Sequence, residues 1–522
     1  MNARSSLLRS PFRRPLTAAM LVLASASCTG ASTGGPDVDD GAADDARRAD
    51  GHGLDATRDG DGDGGAVDAA APRTDSSRGA DSIAHPEDGA PPTARCTSAG
   101  GSEWTTYGHD AQRTFASDGC ALGPLTVAWT FKPDGAGGGK QASIDLAIAT
   151  RAAIYLKSTN HEDLGGKVAA QVNKVTPSGK GDWQFAFGDF EEHNWPTFAF
   201  GILAVQEDTF WFVNDADGTG QQLGEYDDWG CNAADDTRWY ASCDVNSRDG
   251  YGIYVGSYPA HPTSPPEWPP MQWSQNLAGG NKGGGGCGYE IDNSIAVEKG
   301  VVFHAGEYVV GSAGGTAPFP SGIAAYDGGS GAVKWSKETS PRSALSVGGG
   351  KVFLVEKATP LALVARDASD GHVVWSTSIA AGASIQAPVL AHGLAIVALT
   401  EGVRAFHVDS GAVAWTAGGI DAVQAPFVSD PAIALDPCGG VDKTGTLSDT
   451  ALAAALGSDT LVVTAKDAVH VLSLVDGAPL ESAKIAGVTG PMKNPVIVGK
   501  TVYAIDTGAA GGVGQLVALT SH

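Results

Sequence analysis

This chain is poor in residue patterns that announce chemistry. Its seven cysteines include no adjacent pair, no C-x2-C and no C-x-x-C-H, which excludes a zinc ribbon, a dithiol redox motif and covalent haem attachment. There is no H-E-x-x-H helix of a metalloprotease. The net charge is −25 and no Lys/Arg cluster follows the first residues, so nucleic acid and anionic membrane surfaces are excluded as partners. Residues 29–95 almost lack large apolar side chains. A segment of that kind has no burial to offset the entropy of ordering it and reads as a disordered acidic linker rich in Asp, Gly and Ala.

Residues 1–28 have the layout of an export signal. Arg4, Arg9, Arg13 and Arg14 form a basic start, Leu16 to Ala24 an apolar stretch too short to span a bilayer, and small residues lead to Cys28. Ser25-Ala26-Ser27-Cys28 resembles a bacterial lipobox, which implies acylation of Cys28 and a lipid anchor as the only membrane attachment. Inside the linker, Asp59 to Gly64 alternates acid and glycine like a calcium loop. The twelfth position is Ala70 rather than a bidentate acid, so it reads as a spacer.

What the chain does have is a period. Trp335, Trp375 and Trp415 stand 40 residues apart and close the phrases AYDGGSGAVKW, ARDASDGHVVW and AFHVDSGAVAW. Ala325, Ala365 and Ala405 precede them by ten residues, Asp327, Asp367 and His407 by eight, and Gly331, Gly371 and Gly411 by four. Short apolar runs at such a period predict a ring of four-stranded antiparallel blades. The small residue belongs in a third strand, the glycine in a tight hairpin, and the tryptophan in the outer strand as a wedge between blades. Weaker copies occur at Val175 to Gly179 with Trp183, at Glu225 to Asp227 with Trp273, and at Leu472 to Gly477 without tryptophan.

The phrase A-x-D-x-x-x-G-x-x-x-W resembles the repeat of PQQ-type (pyrroloquinoline-quinone) propellers, and Trp104 to Thr114 resembles their opening W…G-x-D-x-x-R-T stretch. The resemblance covers most of residues 100–522 and implies an all-β propeller over 96–522. Seven blades are counted, or eight if the stretch from Cys231 to Trp273 hides one. Leu125 to Phe131, with Trp129, is an outer strand lacking a blade before it; Val502 to Ile505 and Gln515 to Leu519 are inner strands lacking a blade after them. Pairing these ends closes the ring and removes its exposed edges. Trp129, Trp183, Trp335, Trp375 and Trp415 are the expected blade-docking residues.

The remaining features are weighed as follows. Cys96, Cys120, Cys231, Cys243, Cys287 and Cys438 form an even set in an exported chain, which favours three disulfides; proximity suggests Cys96 with Cys120, Cys231 with Cys243, and Cys287 with Cys438, among 15 connectivities. The stretch near 228–270 reads as an insertion, and its Trp229, Trp239, Tyr240, Tyr251, Tyr254, Tyr258 and Trp268 are a candidate recognition loop set against self-packing. The glycine run 279–286 lacks the Lys-Ser/Thr and the helix of a phosphate loop. Asp327 and Asp367 read as turn acceptors, and His109, His304 and His407 as satisfied polar groups.

Two functions remain. The first is a non-catalytic binding or scaffolding propeller, similar in form to the propeller lipoprotein of outer-membrane protein assembly. This is a monomeric ring at the outer membrane, periplasmic or surface-exposed, that recruits a protein or polymer at a loop face without a cofactor. The alternative is a PQQ- and calcium-dependent alcohol or sugar dehydrogenase. The cysteine pair on which such enzymes often stack the quinone is missing.

Overall fold

The structure is a computed structural model. It describes residues 103, 105, 106, 110, 112, 114, 116, 117, 124–134, 143–160, 169–187, 196–206, 210–222, 232–247, 250–259, 272–276, 293–309, 319–379, 387–399, 402–420, 453–456, 460–465, 468–488, 490–508 and 514–521. The expected signal, Cys28, the linker, five of the six later cysteines, Trp104, Trp229 and Trp268 lie outside the described residues. Cys243 is placed by its backbone alone.

These residues form eight four-stranded antiparallel sheets. Counted from the N-terminus, the blades run from first to fourth strand as follows: blade 1 from Ser143–Ala149 to Gly181–Phe187, blade 2 from Thr197–Ala199 to Gly220–Gln222, blade 3 from Asn232–Ala234 to Trp273–Asn276, and blade 4 from Asn293–Glu298 to Val333–Glu338. Blade 5 runs from Ser346–Gly348 to Val373–Ser378, blade 6 from Val389–Ala391 to Val413–Gly418, and blade 7 from Ala453–Leu456 to Pro479–Lys484. Blade 8 takes its first three strands from Met492–Val498, Thr501–Asp506 and Gln515–Ser521, and its fourth from Leu125–Phe131 at the other end of the chain. There Trp129 lies opposite Ala518 and Phe131 opposite Leu516. The expected closure is present.

A count of seven is one short, and the stretch from Cys231 to Trp273 does hold a blade. What read as one decayed repeat with an insertion is two blades. Asn214 and Gly218 keep the repeat spacing, but Gln222 stands where the tryptophan would be, so the phrase ending blade 2 was invisible to a search for indoles. Arg238–Ser247 and Gly250–Pro259 form a long hairpin, with Ser247 opposite Gly250, and Trp273 opens the fourth strand of blade 3.

The core lies between blades rather than within one. Second and third strands have a blade against each face, so KVFLVE, ALVARD and LAIVAL are buried almost throughout instead of alternating. The outer strand VVWSTS buries Trp375 and shows most of its other side chains to solvent. One apolar cluster joins Phe303, Ala325 and Trp335 of blade 4 to Val347, Val352 and Leu354 of blade 5. Ala325, Ala365 and Ala405 are fully buried in third strands, each opposite the tryptophan of its own blade.

Candidate functional site

Six tryptophans make the same contact, and its partner is the hairpin of the following blade. The indole Nε1 of Trp129 donates to the carbonyl of Pro177 at 2.9 Å, Trp183 to Asp215 at 2.8 Å, and Trp273 to Gly328 at 2.8 Å. Trp335 donates to Ala368 at 2.9 Å, Trp375 to Val408 at 2.8 Å, and Trp415 to Leu474 at 2.9 Å. Each ring lies on the glycine of that hairpin. At Gly371, where φ is +74°, an added Cβ would meet the Trp335 ring at 2.6 Å, so the position demands glycine for both its backbone and its lack of a side chain. All five expected docking tryptophans are in these positions, and Trp273 is the sixth.

Polar groups near these seams are spent on structure. Asp327 Oδ1 accepts from the Ser330 N–H at 2.9 Å and hydroxyl at 2.8 Å, and Asp367 Oδ1 accepts from the Ser369 N–H at 2.8 Å and hydroxyl at 2.5 Å. The serine hydroxyl and backbone bonds hold both carboxyls below their ordinary range. These acids are turn acceptors, as their spacing suggested. Between blades 1 and 2, Tyr155 donates to Asp215 Oδ1 at 2.6 Å while Lys174 Nζ lies 2.7 Å from the same oxygen. Burial, then the Asp215 bond, raises the Tyr155 phenol. His304 is fully buried in the second strand of blade 4, and burial pushes its imidazole down to about 3.

The candidate recognition residues fall in blade 3. Trp239 and Tyr240 sit in its second strand, 0% and 1% exposed. Trp239 packs on Phe200 and Phe212, with centroids at 5.8 and 5.3 Å, and Tyr240 donates to Asp235 at 2.7 Å. They are core, not an exposed loop. Tyr251, Tyr254 and Tyr258 belong to the third strand.

The first strands of several blades take part in bonds that the sequence did not reveal. Among the described residues between Glu103 and Ser117, several bond to different blades. Glu103 Oε1 accepts the Arg151 N–H of blade 1 at 3.2 Å, and the Thr105 carbonyl accepts the Phe198 N–H of blade 2 at 2.6 Å. The Gln112 carbonyl accepts the Val347 N–H of blade 5 at 2.9 Å, and the Thr114 carbonyl the Leu390 N–H of blade 6 at 2.8 Å. The Ser117 hydroxyl donates to the Ile497 carbonyl of blade 8 at 3.0 Å. Asp110 accepts the Thr114 N–H at 2.9 Å and hydroxyl at 2.5 Å. This assigns a local role to two residues of the D-x-x-R-T motif.

A quinone over calcium requires carboxylates converging on the axis. Among the described residues the one grouping of three acid, histidine or cysteine side chains is Asp367, Asp370 and His372, in the hairpin between the third and fourth strands of blade 5. Two of the three are exposed, and both Asp367 and Asp370 are engaged within that turn. Both acids of that group are thus committed to the turn, and no step is derived through a quinone.

Residues 320–518 match the family model described as outer membrane protein assembly factor BamB. No curated protein sequence matches the chain. Among solved structures, quinohemoprotein alcohol dehydrogenase from Comamonas testosteroni is similar with a TM-score of 0.51 and 11% identity, 80% of each chain being covered. A quinohemoprotein alcohol dehydrogenase from Pseudomonas putida HK5 gives a TM-score of 0.50 at 11% identity, again over 80% of each chain. BamB from Moraxella catarrhalis gives 0.44 at 12% identity, over 76% of this chain and 98% of that one. At these identities the likeness is one of fold. The 40-residue repeat and the closure by strands from both ends make this chain a β-propeller, and its residues 320–518 are similar to the PQQ-type repeat family.

Proposed function

We propose that the chain is an exported, envelope-anchored propeller that binds or scaffolds a protein or polymer partner and performs no chemistry of its own. The observation that carries this reading is how the polar groups are used. The repeat acids close turns, and first-strand N–H groups of blades 2, 5 and 6 bond the chain's own Thr105, Gln112 and Thr114 carbonyls. The match of residues 320–518 to an assembly-factor family supports the binding role. The N-terminal pattern ending at Cys28 supports export and an outer-membrane lipid anchor, with the ring monomeric and the partner taken at a loop face.

The test is reconstitution of the purified full chain with PQQ and Ca²⁺, followed by absorbance of bound quinone and dye reduction with a panel of alcohols and aldoses. No bound quinone and no turnover are expected. Turnover with any of these substrates overturns the reading. A parallel experiment labels growing cells with a clickable palmitate analogue. Label on the wild type and none on Cys28→Ala is expected, and equal labelling of both removes the anchor.

A further inference from the structure

Every large apolar side chain that the described residues expose lies on four consecutive blades. Val373 and Val374 of blade 5, Val413 of blade 6, Val475 and Leu480 of blade 7 and Val127 of blade 8 are between 37% and 72% exposed. They share one place in the repeat: the hairpin before the fourth strand or the opening of that strand. The residue just before the tryptophan position is Val374, Ala414, Leu480 and Ala128 in these blades, but Asp182, Gln221 and Lys334 in blades 1, 2 and 4. The fourth strands VVWSTS, VAWTAG and LTVAWTF of blades 5, 6 and 8 carry no charge at all.

Seam contacts link these side chains into one ridge. Trp375, next to Val374, lies on Gly411, two residues from Val413. Trp415, two residues past Val413, donates to the Leu474 carbonyl beside Val475. Glu481, next to Leu480, accepts the Leu125 N–H, two residues from Val127. Single exposed valines need no explanation, but exposed apolar surface that continues from blade to blade marks a contact site. Strand addition does not suit this ridge, because a bulge at Val374, Ala414, Leu480 or Ala128 breaks the register of each outer strand, and a bulged edge resists pairing. Recognition falls to side chains. The hairpins that border the ridge are acidic, with Asp367 and Asp370 in blade 5, Asp409 in blade 6 and Asp476 in blade 7. Hydrogen bonds from Ser369, His372 and Ser473 hold Asp367, Asp370 and Asp476 below the ordinary carboxyl range, so these acids stay ionised. Lys351 bonds Asp409 at 2.9 Å and Lys337 of blade 4 stands near Asp370; Asp367 and Asp476 have no lysine or arginine partner among the described residues.

We infer that this ridge on blades 5 to 8 is a docking surface for a partner protein, and that the segment it takes is both apolar and basic. Valine- or leucine-sized side chains of the partner cover the exposed valines, and its lysines or arginines face the hairpin acids. This names the face and the partner chemistry of the binding reading and rests on that reading. Charge selects the occupant. Two copies of a chain with a net charge of −25 would set acid against acid along such a ridge, and an anionic lipid surface would meet the same repulsion, whereas a basic polypeptide is complementary.

The experiment follows the anisotropy of short fluorescein-labelled peptides with the full chain at physiological salt. Three probes are used: alternating valine and lysine, alternating serine and lysine, and alternating valine and glutamate. Saturable binding of the valine–lysine peptide is expected, with the other two at least about tenfold weaker, since each lacks either the apolar contacts or the ion pairs. Val373→Ser/Val413→Ser/Val475→Ser should weaken that binding at least about tenfold, and Asp370→Asn/Asp409→Asn/Asp476→Asn by a similar factor. Asp182→Asn/Asp217→Asn/Asp236→Asn makes the same charge change on blades 1, 2 and 3 and should bind as the wild type does. Absence of saturable binding, an equal loss in that control, or undiminished binding by either ridge variant overturns the proposal. So does a dimer in sedimentation velocity that the serine variant dissolves, because a second copy would then be the occupant. The substituted ridge residues are exposed, so both variants should keep the wild-type urea midpoint; if the serine variant unfolds, the asparagine variant decides. Failure here leaves the binding reading standing at another face, whereas quinone turnover removes that reading whatever the peptides do.

Discussion

Six of the eight seams between blades carry an indole from the outer strand, and two do not. Where blade 4 meets 5, 5 meets 6 and 6 meets 7, Trp335, Trp375 and Trp415 lie on Gly371, Gly411 and Gly477. Where blade 2 meets 3 and 7 meets 8, the equivalent positions hold Gln222 and Glu481. The receiving blade explains the difference. Blade 3 joins its third and fourth strands through the stretch after Pro259, which has no glycine before Trp273. Blade 8 has no covalent hairpin there, because those two strands come from opposite ends of the chain. Without a glycine hairpin an indole has no seat. At the 2–3 seam Trp239 of the receiving blade fills the space beside Phe200 and Phe212. At the 7–8 seam Glu481 Oε1 accepts the Leu125 N–H at 2.9 Å, pinning the closing strand where it begins.

The largest test of this contrast is deletion of residues 232–276. If they were an insertion the ring would keep its fold; as a blade, their loss is expected to abolish the cooperative unfolding transition, read by urea titration of tryptophan emission. At a regular seam, Trp375→Ala should cost about 3–5 kcal/mol in the same titration, the usual loss for a large aromatic. A cost under 1 kcal/mol would break the wedge account.

A third test uses pH and the core of blade 4. The folded state holds the His304 imidazole at about 3, against an ordinary 6.5, so it favours the neutral form. Stability from this group is complete above pH 6.5 and is lost as pH falls toward 3. At pH 4.5 the wild type should have lost about 2–3 kcal/mol more than His304→Gln, at 1.36 kcal/mol per pKa unit. Parallel losses in the two proteins would remove His304 as the cause.

The irregular seams should answer more weakly. Glu481→Ala removes one hydrogen bond to a carboxylate whose second oxygen has no partner, so about 1 kcal/mol is expected, with the loss concentrated in hydrogen exchange of the closing strand. Gln222→Trp should gain less than about 0.5 kcal/mol, within the range of surface changes, because blade 3 offers no glycine seat. A gain of about 2 kcal/mol would show that the indole alone makes a seam.

The sequence was legible where one repeat contains the whole signal. Asp327 or Asp367, the glycine four residues before each indole and the alternating outer strand all lie within a dozen residues, and their roles hold in the structure. Blade 2 was missed because its phrase ends in Gln222, although Asn214 and Gly218 kept the spacing. Trp239 and Tyr240 misled because dense aromatics suit an exposed face and a buried second strand equally well, and only burial separates the two.

By itself the sequence determined the period, the blade grammar, the outer-strand tryptophans and the closure of the ring by its two ends, since each follows from short-range pattern and from the cost of an open edge. Tertiary structure alone decided the eighth blade, the pairing of each indole with the glycine of the next phrase, and the bonds from Thr105, Gln112, Thr114 and Ser117 to the first strands of distant blades. The physical reason is distance along the chain. Ser117 meets Ile497 across 380 residues, and a contact of that kind leaves no local pattern, because it depends on the whole ring having formed.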